Sequence, residues 1–142
     1  MTAQNFQYSF TTSKGTAEVF AHLLNPKNWW VGLFEERIDG KSNAINDEFS
    51  FSAGGGAHFS NQKLTELVAG SKITWLVTES NLSFLHNTNE WAGTKLCFTI
   101  EEFGDQTKVT FTHDGLVPHF ECYGGCSRAW TQYLQNLEQH LA

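Results

Sequence analysis

The segment from residue 95 to 114 constrains the fold more than any other. A two-residue turn at Gly104-Asp105 pairs Ile100 with Val109, Phe98 with Phe111 and Leu96 with His113. On the opposite face the same register sets Glu101 against Lys108, Thr99 against Thr110 and Cys97 against Thr112. Strand side chains alternate faces, and matched cross-strand pairs stabilise a hairpin by roughly 0.2–1 kcal/mol each. A slip of one residue would scramble both faces. The chain must therefore build an antiparallel sheet with one apolar face, and that face needs a cover.

The cover is read from a change of period. From about Pro118 onward, Cys122, Cys126, Ala129, Trp130, Tyr133, Leu134, Leu137 and Leu141 fall on one stripe of a long helix, away from Arg128, Gln132, Gln135 and Gln139. Gly124-Gly125 sits near its start, where each glycine costs roughly 1 kcal/mol relative to alanine. Upstream, residues 5–12 alternate as a half-buried strand. Ser13 or Thr16 is placed to cap a helix carrying Val19, Phe20, Leu23 and Leu24, which Pro26 ends. Residues 28–34, with Trp29 and Trp30, read as a second short helix or an aromatic loop. Strands follow at 47–53, 57–68 and 72–79, separated by Gly54-Gly55-Gly56 and Ala69-Gly70. Residues 80–92 read as a long loop or lid. The expected class is α+β: a curved antiparallel sheet of about six to seven strands wrapped around a long C-terminal helix, with two short helices after the first strand. No repeat or linker interrupts residues 1–142, so one domain is expected.

Charge and cysteine usage exclude several roles. Nine Lys+Arg against fifteen Asp+Glu leave a net charge of −6, without the basic face that nucleic acid or anionic lipid requires. No apolar run approaches the ~20 residues of a membrane-spanning helix, and the N-terminal residues lack a signal-peptide pattern. Three cysteines, an odd number, point to a reduced, cytoplasmic protein in which a Cys122–Cys126 disulfide is not expected.

Several side chains are candidates for chemistry. Trp29, Trp30, Trp75, Phe84, Trp91 and Trp130 suit the wall of a small-molecule pocket, with ordinary core packing as the competing reading. Trp75 shares the inward face with Ile73 and Val77, and Trp130 lies on the helix stripe. His58 and His113 can orient a polar ligand group or act as a base, or be core histidines satisfied by hydrogen bonds. His119, Cys122 and Cys126 share one helical face, but no CxxC knuckle or second ligand pair completes a zinc site, so no metal is expected. Tyr123 offers a phenol to a ligand. Glu121 either acts as acid or base or simply complements the helix dipole. No GxSxG elbow, phosphate loop or HExxH motif occurs.

The stretches FTTSKGTAEVFAHLLNPKNWW, DEFSFSAGGGAHFSNQKLTEL, KITWLVTESNLSF, EWAGTKLCFTI and FTHDGLVPHFECYGGCSRAWTQYLQ carry a resemblance that covers essentially the whole chain. It resembles the START-like, or SRPBCC, superfamily with its helix-grip fold, and within it the activator of heat-shock chaperone ATPase homologue group. The resemblance implies a cavity between sheet and C-terminal helix. The expected function is binding of a small, largely apolar molecule there by Trp75, Phe98, Phe111, His113, Tyr123, Trp130 and His58, without a cofactor. The alternatives are a cyclase- or hydrolase-like enzyme using His113 or Tyr123, and an interaction module for a chaperone or other protein. Monomer and homodimer both remain open.

Overall fold

The computed structural model describes residues 5–118 and 120–142; His119, a member of the weighed zinc cluster, lies outside them. Seven strands form one antiparallel sheet: β1 (Phe6–Thr12), β2 (Arg37–Gly40), β3 (Glu48–Ala53), β4 (His58–Val68), β5 (Lys72–Leu82), β6 (Lys95–Phe103) and β7 (Gln106–Asp114). Their spatial order is β1-β7-β6-β5-β4-β3-β2. Helix α1 (Thr16–Leu24) follows β1, and α2 (Tyr123–His140) closes the chain. This is the helix-grip arrangement.

The β6–β7 register is the one read from the sequence, from Leu96 opposite His113 through Glu101 opposite Lys108. Between β4 and β5 the pairing shifts at Asn61/Gln62 and again at Leu64/Glu66. Each bulge bends and twists the strands, which curls the sheet around α2. The inner face and the helix stripe then share one core, with Leu64, Ile73, Trp75, Val77, Leu96, Phe98, Val109 and Phe111 at zero exposure.

Several local expectations are corrected. Gly15, in extended conformation, stands at the N-cap of α1 without any side-chain cap bond, in place of Ser13 or Thr16. The second helix shrinks to a 3-10 turn over Pro26–Asn28, because Trp29 and Trp30 leave it to enter the core. Strand β2 was not expected: its four residues, RIDG, lack an alternating pattern and lie mostly exposed at the sheet edge. Strand β5 runs on to Leu82, so the loop opens only at residue 83. Helix α2 begins at Tyr123, five residues after Pro118, because turns come first: the Phe120 N–H donates to the Val117 carbonyl and the Tyr123 N–H to that of Phe120.

The reading of Cys122 and Cys126 as free thiols is also corrected. They are joined by a disulfide, with Cα atoms 5.5 Å apart, within the usual span of such a bond. Cys122 is the N-cap residue and Cys126 lies one turn later, so both point to the same side of the helix start. Cys97 is the one free cysteine among the described residues.

Candidate functional site

The aromatic residues sort into a filled layer and an open end. Trp29 fills the layer. Its ring meets Phe98 edge-on at 5.0 Å and lies 6.0 Å from Trp75 and 6.4 Å from Phe111. Its indole N–H donates to the Leu23 carbonyl at 2.9 Å, which ties the plug to the end of α1. Trp75 donates to the Ser42 hydroxyl at 2.9 Å. Trp75, Phe98 and Phe111 are fully buried and lie beneath this plug, outside the lining of the cavity at the open end.

His113 belongs to the same closed layer. It is fully buried and both ring nitrogens are engaged: Nδ1 accepts from the Trp130 indole at 3.1 Å, and Nε2 lies 2.8 Å from Thr94 Oγ1. Thr94 in turn donates to the Trp91 carbonyl at 2.6 Å, which leaves its oxygen to accept from Nε2–H. The neutral Nε2–H tautomer satisfies every group in this relay. Burial, with the nearby His58 second, pushes the His113 pKa down to about 3. A ring used at both nitrogens and walled from solvent has no proton to exchange with a bound molecule, and its work is to hold the loop before β6 against α2.

The open end lies between the β3–β4 turn and the first half of α2. A cavity of about 270 Å³ is lined there by Trp30, Phe51, Ala53 and His58 on one side and by Cys122, Gly125, Cys126, Ala129, Trp130 and Tyr133 on the other; Phe34, Phe84 and Trp91 complete it with Gly54 and Ala57. Trp30 stacks on Phe51 at 3.8 Å and against Trp130 at 5.0 Å, giving the cavity an aromatic floor. The three glycines of the turn all adopt positive φ, at 62°, 70° and 94°, a conformation that residues with a Cβ rarely take. Gly125 presents no side chain, and a Cβ built on it would meet nothing within 4 Å.

One polar ring stands in this apolar wall. His58 meets Phe51 edge-on at 5.3 Å and Trp91 at 4.6 Å. Its Nε2 and the Trp91 Nε1 are both shut off from solvent and lack a hydrogen-bond partner among the described residues. Desolvation pushes the His58 pKa down to about 4, so the ring is neutral at physiological pH. Two buried nitrogens without partners beside a cavity are a cost to the folded chain.

Carboxylates brace the mouth. Glu36 accepts from the backbone N–H groups of Gly32, Leu33 and Phe34 at 2.7, 3.1 and 2.8 Å, and from the Tyr133 phenol. Desolvation raises the Glu36 pKa, but these bonds outweigh it and hold the carboxyl below its ordinary range. Burial, then the bond to Glu36, pushes the Tyr133 phenol up. On the other side Glu90 accepts from the N–H groups of Glu121 and Cys122 at the start of α2, and Glu121 pairs with the exposed His86. Phe34 and Phe84, 45% and 57% exposed, stand at the rim.

Of the residues proposed from sequence, Trp30, His58, Phe84, Trp91 and Trp130 line the cavity, while Trp29, Trp75, Phe98, Phe111 and His113 lie in the closed layer. Tyr123 is half-buried against the core, outside the lining. Glu36, Phe34 and Gly125 were not proposed as site residues. The Gly124-Gly125 pair, costly in a helix, was the signal for Gly125 in the sequence. No group of three or more metal-ligating side chains occurs among the described residues. No helix among them is long and apolar enough to cross a membrane.

Comparison with known proteins places this geometry. The dimeric Aha1 of Colwellia psychrerythraea superposes with a TM-score of 0.74 at 21% identity, over 97% of this chain and 96% of that one. A protein from Nitrosospira multiformis gives 0.74 at 10% identity over 98% and 97%. One from Chromobacterium violaceum gives 0.68 at 14% over 97% of each. At these identities the likeness is one of fold. No curated protein sequence matches the chain. The family model described as activator of Hsp90 ATPase homolog 1-like protein spans residues 16–142, and the chain belongs to that family.

Proposed function

We propose that this chain is a START-like domain of the cytoplasm that binds a small, largely apolar molecule between the β3–β4 end of its sheet and α2. The carrying observation is the cavity of about 270 Å³ with its aromatic and small-residue lining. The aromatic lining, with His58 its one imidazole, supports a guest with a largely apolar body. Because His58 is held neutral, a hydroxyl or carbonyl suits it better than a carboxylate, which would be buried without a counter-charge.

The test is a titration with the uncharged fluorophore N-phenyl-1-naphthylamine. Micromolar binding, about −8 kcal/mol, with quenching of tryptophan emission is the expected result. Gly125→Leu projects a side chain into the lining from a helical position with room for it, and should abolish binding while the fold persists. Undiminished binding in that variant would overturn the assignment of the site. A second reading, a protein-docking rim, draws on exposed Phe34 and Phe84. It gains if the wild type fails to bind the probe and self-associates in sedimentation.

A further inference from the structure

Among the described residues, the Cys122–Cys126 bond is the one disulfide, and both of its cysteines line the cavity. We propose that this pair is a redox-active site that exchanges with small uncharged dithiols admitted through the cavity. The proposal deepens the ligand-binding reading and rests on it for the route of entry.

Access argues for it first. Cys122 and Cys126 are 3% and 6% exposed and both line the cavity, so a small molecule held there lies against the residues that carry the disulfide. Gly125 and Ala129, the small residues beside them on α2, line the same wall and keep that approach open. Selectivity follows from the surroundings. A dithiol that also bears a carboxylate must bring a second negative charge out of water to an aromatic wall and past the carboxylates of Glu36, Glu90 and Glu121, whereas an otherwise uncharged dithiol brings only that of its attacking thiolate. Disulfides in cytoplasmic proteins are usually transient and reactive rather than structural, which agrees with a bond placed on a cavity wall.

The chemistry closes without a further reactant. A thiolate of the entering dithiol attacks one cysteine sulfur, the Cys122–Cys126 bond breaks, and the expelled thiolate takes up a proton. The second sulfur of the reductant then attacks the reductant's own first sulfur and displaces the cysteine bound to it, forming a cyclic disulfide and releasing that cysteine as a thiol. Two electrons and two protons pass from the small dithiol to the protein. The attacking thiolate comes from the small molecule. Glu90 occupies the N–H groups of Glu121 and Cys122, and its carboxylate beside the helix start disfavours a cysteine thiolate there. Cys97 stands apart on the outer face of β6, its sulfur accepting from the Thr74 hydroxyl at 3.3 Å, and serves as an internal standard.

The experiment uses the whole chain, treated first with oxidised lipoamide and alkylated under denaturing conditions. Of the three cysteines only Cys97 should then be alkylated; all three remaining reactive would overturn the proposal. Reduction is next compared for dihydrolipoamide and dihydrolipoate, which share one dithiol head and differ in charge. The amide is expected to react at least about tenfold faster, and saturating N-phenyl-1-naphthylamine should slow it. Equal rates, unmoved by the fluorophore, would overturn the proposal. The fluorophore's own emission reads the cavity separately: no binding together with a preserved rate ratio would remove the ligand-binding reading and leave the exchange standing.

Discussion

His58 and His113 meet the same tryptophan in the same way and end in opposite chemical situations. Each ring stands edge-on to Trp91 at 4.6 Å, at 84° and 85°. His113 has both nitrogens bonded and lies outside the cavity lining, while His58 has an orphaned nitrogen and is part of that lining. Residue type and aromatic company are therefore poor guides to function in this core. What separates the two is whether the polar atoms are already spent. The closed layer around His113 holds the fold, and the open end around His58 has capacity left for a guest.

Acid should expose both histidines at once, and this is the largest expected effect. Burial holds the folded-state pKa near 4 for His58 and near 3 for His113, against 6.5 in the unfolded chain. Stability is thus complete above pH 6.5 and falls as pH falls, because the unfolded chain takes up protons that the folded chain refuses. Each ring contributes a slope of about 1.4 kcal/mol per pH unit in its window. His22, also lowered by burial, adds in the same direction. Glu36, lowered from 4.5, contributes only as pH drops below that value. Urea midpoints between pH 7 and 4.5 measure the slope, and His58→Phe should remove one histidine's share. A slope indifferent to that change would break the pairing of the two rings.

At neutral pH the two sites should part. His113→Ala leaves the Trp130 indole without its acceptor and opens a void, which should cost about 3 kcal/mol or more. His58→Ala borders existing space and removes an orphaned nitrogen, so about 1 kcal/mol or less is expected. Denaturant unfolding of both variants decides it, and equal losses would mean that the open end is packed as tightly as the closed layer.

The closed half was the more legible from sequence. The β6–β7 register follows from a two-residue turn and local alternation, and the stripe of α2 from a simple period, so both could be read without tertiary information. The open half depends on contacts that no local pattern encodes. Alternation places Trp75 and Phe98 on the inward face, but only the fold shows that Trp29 drops onto them and moves the free space to the β3–β4 end. Glu36 earns its position from three N–H groups just upstream and from Tyr133, 97 residues away. Strand β2 takes its structure from pairing with β3, since its own residues carry no strand pattern.

That brace at the mouth gives a smaller effect. Tyr133→Phe removes the phenol bond to Glu36 and should cost about 1 kcal/mol, because the three backbone N–H groups still hold the carboxylate. The Glu36 pKa should move upward, since the lost bond was among those lowering it. An NMR titration of that carboxyl reads the shift directly, and an unmoved pKa would show that Tyr133 does not brace the mouth through Glu36.

The smallest effect is the sharpest comparison, because it sets two adjacent residues against each other. Gly124 and Gly125 both lie in the first turn of α2, and replacing either with alanine should stabilise by up to about 1 kcal/mol through helix propensity and a less free unfolded chain. A Cβ on Gly124 would meet only the Arg128 guanidinium, 3.7 Å away, and one on Gly125 would meet nothing within 4 Å. Neither substitution is strained, so thermal unfolding should rise in both. Only Gly125 lines the cavity. Widening the side chain from Ala through Val to Leu at 125 should therefore weaken N-phenyl-1-naphthylamine binding step by step, while the same series at 124 leaves it unchanged. Parallel losses at the two positions would show that binding responds to helix stability rather than to the volume beside Gly125.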